Sequence, residues 1–336
     1  MGILTHVFAS AHEGFRMTTR GISRLDAPRP AGEARRSSSL WADAWRNLLR
    51  GTNARLGLGI ILFLLAIAAA APLIAPYPPN TSMLNIPTYT GTGRLPGKPP
   101  CIHLLGCPVT EPEHFMGLDL NARDNFSRIL FGARVSLFVG FASVSLAIVV
   151  GTFLGLVSGY FGGWLDTLIM RCMDVLLAFP SLLLAIAIAT FLGRGLDKAL
   201  IAIAVVSIPA YARLARASVL SVRENDYITA ERTLGAGDWR ILFGHIFPNV
   251  ITPLIIQGTL SIGTAVLDAA ALSFLGVGSQ PPDAEWGFML SEARNSVFAQ
   301  PYLVFYPGLA IMITVLGFNL LGDGLRDALD PRLNRY

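Results

Sequence analysis

Five stretches of this chain run the length of a membrane helix without one acidic or basic side chain: Leu56 to Ala75, Val135 to Leu165, Val175 to Gly193, Val250 to Leu267 and Asn295 to Gly322. Crossing about 30 Å of hydrocarbon takes roughly 20 apolar residues in helical form, and few soluble folds could bury so many segments of this kind. Ala199 to Ala212 is shorter, but Lys198 and Arg213 flank it and can snorkel from its ends. The expectation is an all-α integral membrane protein with six transmembrane helices. Composition agrees, with 53% hydrophobic and only 14% charged residues, against roughly 25% charged in soluble domains.

The first apolar run is longer than the roughly 7–15 residue core of a cleaved signal, and a long tail precedes it, so it reads as a retained span. Basic residues gather on the cytoplasmic side. The tail before the first span holds Arg16, Arg20, Arg24, Arg29, Arg35, Arg36, Arg46, Arg50 and Arg55, and six spans put both termini on that side. A partly disordered cytoplasmic tail at 1–55 is therefore expected, with Trp41 and Trp45 at the headgroup level. It is followed by a first span at 56–76, an extracytoplasmic loop at 77–125, a five-helix core at 126–326 and a cytoplasmic tail at 327–336. The net charge of +4 is explained by topology and anionic lipid, because the arginines lack interleaved aromatics; no nucleic-acid partner is implied.

The loop at 77–125 is rich in Pro and Gly, and little regular structure is expected there. It contains Cys101 and Cys107 in "CIHLLGC", on the side where a disulfide persists. A local bridge is one reading; a metal site using His103 and His114 is the other. The third cysteine, Cys172, reads as a small apolar filler.

Between the fourth and fifth spans lies "AERTLGAGDWRILFGHIFPN", Ala230 to Asn249, amphipathic and charged among greasy neighbours. Ser221 to Leu234 has helical character, and Gly235 with Gly237 offers a break. Asp238 suits the N-cap of a short helix over Trp239 to Phe247 that Pro248 and Asn249 end. On that helix Trp239, Leu242 and Ile246 share a face, with Arg240 turned away. Such an elbow either rests on lipid or lies in another protein's groove.

The spacing Ala230, Gly235, Pro248 resembles the cytoplasmic coupling motif of ABC importer permeases, E-A-A, three residues, Gly, nine residues, I-x-L-P. The resemblance implies a type I ABC importer permease fold, and it implies that Thr229, Ala230, Glu231, Gly235, Ala236, Asp238, Trp239, Arg240, His245 and Pro248 dock on an ATPase subunit. Four positions depart from the pattern: Thr229 stands for its Glu, Glu231 for its second Ala, His245 for its Ile and Phe247 for its Leu. "GLDLNARDNFSRILFGARVSLFVG" (Gly117 to Gly140), "RCMDVLLAFPSLLLAI" (Arg171 to Ile186), "LSFLGVGSQPPDAEWGFML" (Leu272 to Leu290) and "GDGLRDALDPRL" (Gly322 to Leu333) are similar to the dipeptide/oligopeptide branch. This likeness covers about Leu56 to Leu333. It implies a bacterial inner-membrane subunit that imports di- or oligopeptides by alternating access. The implied partners are a homologous second permease, two ATPase subunits that bind the ATP and Mg, and an extracytoplasmic binding protein. No cofactor is expected in this chain.

Enzyme signatures are absent: there is no phosphate loop, H-E-x-x-H or G-x-S-x-G. Asp268, within the fifth span, either lines the path or gate or is a buried structural partner. As a coupling site it would also serve an ion-coupled carrier or channel, the alternative function. Arg171 and Asp174 are spaced to pair at the start of span three. Pro180 and Pro209 permit bends, and Gly140, Gly151, Gly155 and Gly159 permit close helix approach.

Overall fold

The computed structural model describes residue 46 and residues 48–85 and 95–329. The expectations for Trp41, Trp45 and the two tails lie outside the described residues. Among the described residues five helices are long and apolar enough to cross a membrane, and a bent pair is apolar enough to count as a sixth candidate if it forms one span. In chain order the helices are α1 (Thr52–Ile74), α2 (Asn125–Phe161), α3 (Gly163–Leu177), α4 (Ser181–Leu192) and α5 (Leu196–Arg223), then the short α6 (Asp226–Thr233) and α7 (Asp238–Ile241), and finally α8 (Phe247–Phe274), α9 (Trp286–Ala293) and α10 (Tyr302–Leu329).

The third span differs from the single straight helix expected over Val175 to Gly193. α3 and α4 meet at 94°, with Pro180 as the N-cap residue of α4. Proline cannot donate a backbone bond and restricts the residue before it, so the helix ends there and restarts in a new direction. Pro209, by contrast, sits inside α5 without ending it. Cys172 is exposed on α3 rather than packed as filler. The expected Arg171 to Asp174 pair is also replaced: Asp174 accepts from Arg213 Nη2 of α5 at 2.6 Å, a partner that lies across the helix pair and is not readable from local spacing.

Within lipid there is little hydrophobic drive between helices, so close packing of small residues has to hold them. The α2 glycines serve that need. A Cβ placed on Gly151 would sit 2.7 Å from the carbonyl oxygen of Ile208 in α5; one on Gly155 would strike the Ala212 carbonyl, and one on Gly159 would meet Val219 Cβ at 2.9 Å. Gly140 makes the equivalent approach to Val266 of α8. Gly57 lets α1 lie on α10, where a Cβ would come within 2.8 Å of the Gly317 carbonyl.

The segment before α2 folds as a cap over one face of the bundle. Among its described residues it has 3-10 turns (Met83–Asn85, His103–Leu105) and isolated bridges (Cys101 with His114, Leu118 with Asp124), and it has its own small core of Met83, Leu95, Leu118 and Ala122. Cys101 and Cys107 are joined by a disulfide, their Cα atoms 5.4 Å apart. The histidines have other duties: His103 Nε2 meets the Glu111 carbonyl at 2.7 Å, and His114 Nδ1 meets Asp124 Oδ1 at 2.8 Å. Among the described residues no group of three or more His, Cys, Asp or Glu is placed to hold a metal.

Charged residues of "GLDLNARDNFSR" fasten this cap to α9. Arg123 reaches both Glu292 oxygens at 2.7 Å and Asp119 at 2.6 Å. Arg128, fully buried, adds Glu292 at 3.1 Å and the carbonyls of Pro282 and Asp283. Burial lowers the Arg123 pKa, but Asp119 and Glu292 outweigh it and hold the guanidinium above its ordinary value. Asp124 caps α2 by accepting from the Ser127 amide at 2.8 Å. Glu285 caps α9 through the Gly287 and Phe288 amides; burial pushes its carboxyl up while those amides oppose the shift.

The glycine seam is testable. Gly155→Val should lower the thermal stability of the detergent-purified protein by at least about 1–3 kcal/mol, because the added atoms meet backbone that cannot swing aside. Gly59→Ala, where a Cβ would meet nothing within 4 Å, should melt like the parent.

Candidate functional site: a two-helix elbow

The polar segment between the fourth and fifth spans forms a compact turn. The expected helix over Ser221 to Leu234 is divided: α5 stops at Arg223, and α6 begins at Asp226 after Glu224 and Asn225. α6 then terminates as anticipated. Gly235 has φ +82° and its amide bonds the Arg232 carbonyl at 3.0 Å, so the left-handed residue closing the helix is one that carries no Cβ penalty.

Beyond the glycine, three expectations are corrected. Gly237, not Asp238, is the N-cap residue of α7, and Asp238 opens the first turn. Pro248 and Asn249 do not end the helix. After α7 the chain widens into a π turn over Leu242–Ile246 and continues as α8, with Pro248 immediately after that turn. The result is one uninterrupted 37-residue stretch, Asp238–Phe274.

The shared face of Trp239, Leu242 and Ile246 is split as well. Leu242 and Ile246 are buried together with Ile241, whereas Trp239 is 63% exposed. The outward stripe is aromatic at i, i+4 and i+8: Trp239 stacks on Phe243 with centroids 5.6 Å apart, and Phe243 meets Phe247 at 6.2 Å. Phe243 went unnoticed in the sequence although its spacing from Trp239 was legible.

What holds the elbow comes from remote parts of the chain. Tyr160, at the end of α2, donates its hydroxyl to Asp238 Oδ1 at 2.6 Å, and Arg232 sits over its ring, 5.5 Å from the centroid. Arg223 donates to the Tyr160 carbonyl at 2.9 Å. Ile228 of α6 is buried in the main core, and Ala236 packs against it. Nothing within the elbow's own sequence points to Tyr160. Two departures from the motif meet here: Glu231 Oε1 lies 3.6 Å from His245 Nε2, so the displaced carboxylate bridges the two arms. Thr229, Ala230, Gly235, Asp238, Trp239, Arg240 and Pro248 are exposed. The elbow is thus tethered on one side and bare on the other.

Asp268 lies 30 positions after Asp238 on the same continuous helix. It is half-buried and, among the described residues, has no hydrogen-bond or ion-pair partner.

Two family models match the chain. One, described as "Binding-protein-dependent transport system inner membrane component", covers residues 151–335; the other, "N-terminal TM domain of oligopeptide transport permease C", covers 39–94. The dipeptide transport system permease protein DppC of Alkalihalophilus pseudofirmus is 46% identical over 88% of this chain and 91% of its own length. The glutathione transport system permease protein GsiD of Pectobacterium atrosepticum is 44% identical over 87% of this chain and 91% of its own. The di/tripeptide permease DppC of Pseudomonas aeruginosa is 44% identical over 86% and 91%.

The tether can be cut alone. Tyr160→Phe keeps the ring under Arg232 and removes one hydrogen bond, a loss of roughly 0.5–1.5 kcal/mol. Amide exchange should quicken over residues 238–241 and stay unchanged through the middle of α2; unaltered exchange at the elbow would mean that the bond does not hold it.

Proposed function

This chain belongs to the family of inner-membrane components of binding-protein-dependent transport systems, a multi-pass ABC permease that is not itself catalytic, and from that premise we propose that its elbow is the joint on which an ATPase subunit pulls to drive import of di- or oligopeptides. The permease works within a complex that includes ATPase and binding-protein partners. The finer composition is part of the proposal: a homologous second permease, two ATPase subunits binding ATP and Mg, and an extracytoplasmic binding protein that delivers cargo. So is the orientation, with both termini and the elbow in the cytoplasm, which rests on the arginines before the first span and around the elbow. Family membership disfavours the ion-coupled carrier. The relatives' names span dipeptide, di/tripeptide and glutathione transport, which supports a small peptidic cargo.

One observation carries the reading: the exposed arm of the elbow and the fifth span are the same helix. At about 1.5 Å per residue, 37 residues extend roughly 55 Å, so a displacement imposed at Trp239 reaches Asp268 about 44 Å away without crossing a loop. The exposed Trp239 and Phe243 provide an aromatic anchor for a groove. Glu231, Arg232, Arg240 and His245 rim it with polar groups. As the ATPases close on nucleotide, the elbow is carried with them and the spans swing from inward-open to outward-open. Asp268 is the polar lining of the path, since an unpaired carboxyl at membrane depth is tolerated where water reaches it.

Trp239→Ala and Gly235→Val should leave the permease inserted while weakening ATPase association by about 2 kcal/mol or more, read as lost co-purification and lost substrate-stimulated hydrolysis. Uptake into vesicles should need ATP throughout; uptake that follows an ion gradient without nucleotide would refute the assignment. Asp268→Ala should depress uptake while assembly and basal hydrolysis persist, and normal transport by that variant would remove Asp268 from the path.

A further inference from the structure

The charged junction between the cap and α9 leaves one donor unanswered. Arg128 is fully buried, and its two terminal nitrogens are taken up by the carbonyls of Pro79, Pro282 and Asp283 and by Glu292. Its Nε has no hydrogen-bond partner among the described residues. Asp119 Oδ2 lies 3.5 Å from that nitrogen, beyond the range of an ordinary N–H···O bond. Leaving an N–H of a buried charge without an acceptor is among the costlier defects a fold can carry.

Arg128 lines a cavity of ≈ 10 Å³ together with Asp119, Asn125, Glu292 and the apolar side chains of Met289 and Leu303. Roughly 10–15 Å³ is the space that the centre of one water molecule needs, provided that two to four polar groups surround it. The groups here have bonding capacity to spare. Asp119 accepts from the amides of Asn121 and Arg123 on Oδ1 and from Arg123 Nε on Oδ2, three of the roughly four bonds that an ionised carboxylate can take. Asn125 gives one hydrogen of its side-chain amide to the Met116 carbonyl and has a second to give. A cation in this cavity would be faced by the N–H groups of Arg128 and Asn125, and an anion by two carboxylates. A neutral molecule that donates and accepts at once suits both. We propose that the cavity binds a single water molecule, which accepts from Arg128 Nε and donates to the carboxylates of Asp119 and Glu292. The cap, α2 and α9 would then meet on one shared molecule. Every partner belongs to this chain, and Arg128, Asp119 and Asn125 are buried within it, so the site depends neither on a neighbouring subunit nor on what grips the elbow.

The full chain, purified with whatever subunits accompany it, would be imaged at a resolution that shows ordered water and, separately, exposed in solution to a brief X-ray pulse that splits water into hydroxyl radicals. The image should hold density about 2.7–3.2 Å from Arg128 Nε and from an oxygen of Asp119 or Glu292. In the pulse, a water held beside Met289 should oxidise that side chain, which is 5% exposed, faster than Met83 and Met173, which are 1% and 6% exposed. Ala293 lines the same cavity. Ala293→Val should displace the water, bring Met289 down to the rate of the other two methionines and lower the melting temperature, because Nε is then left without an acceptor. Both measurements on the parent stand even if that variant does not fold. Ordered Arg128, Asp119 and Glu292 side chains with no density between them, or a Met289 no more reactive than Met173 in the parent, would overturn the site. Density that appears only at high salt would place an adventitious ion there and overturn the assignment of water.

Discussion

Hydrocarbon offers no hydrogen bonds, and the architecture depends on that. Every amide inside the bilayer must be satisfied within its own segment, so the apolar runs become helices and irregular structure is driven to the two faces. On one face the chain spends its prolines and glycines on a cap stitched by Arg123, Arg128, Asp119 and Glu292. On the other it builds an elbow. The helices between are held by fit, where absent Cβ atoms at Gly151, Gly155 and Gly159 let α5 settle onto α2.

The same constraint separates the work of the two faces. Glu292 is shared by two arginines, so the cap and α9 move together or strand buried charge. The elbow has holdings of another kind: one tyrosine hydroxyl, one ring-to-guanidinium contact and apolar side chains sunk in the main core. The cap is thus held by charge and the elbow mainly by buried aliphatic side chains, Ile228, Ile241, Leu242 and Ile246 among them.

Much of this was legible in the sequence because periodicity and charge are local properties. The charge-free runs located the spans, Gly235 announced the end of α6, and the motif spacing pointed to the elbow. Errors gathered where a distant residue decides. Asp174 chose Arg213 over its near neighbour Arg171, and Asp238 stands one place past the cap, where its Oδ1 accepts from the remote Tyr160. Pro248 was misread as a terminator because proline ordinarily ends or kinks a helix, and only the π turn before it shows that the chain continues. The role of "GLDLNARDNFSR" was hidden for the same reason, since its partner Glu292 lies more than 160 positions away.

The π turn at Leu242–Ile246 separates the angular phase of α7 from that of α8. A wide turn winds more residues into each revolution, so side chains upstream are rotated about the axis relative to a plain α-helix, while the axis itself continues unbroken. Which way Trp239 points is thereby set apart from which way Asp268 points. A lineage could re-aim the exposed aromatic stripe by changing this one turn of backbone, leaving the buried seams of the bundle in register.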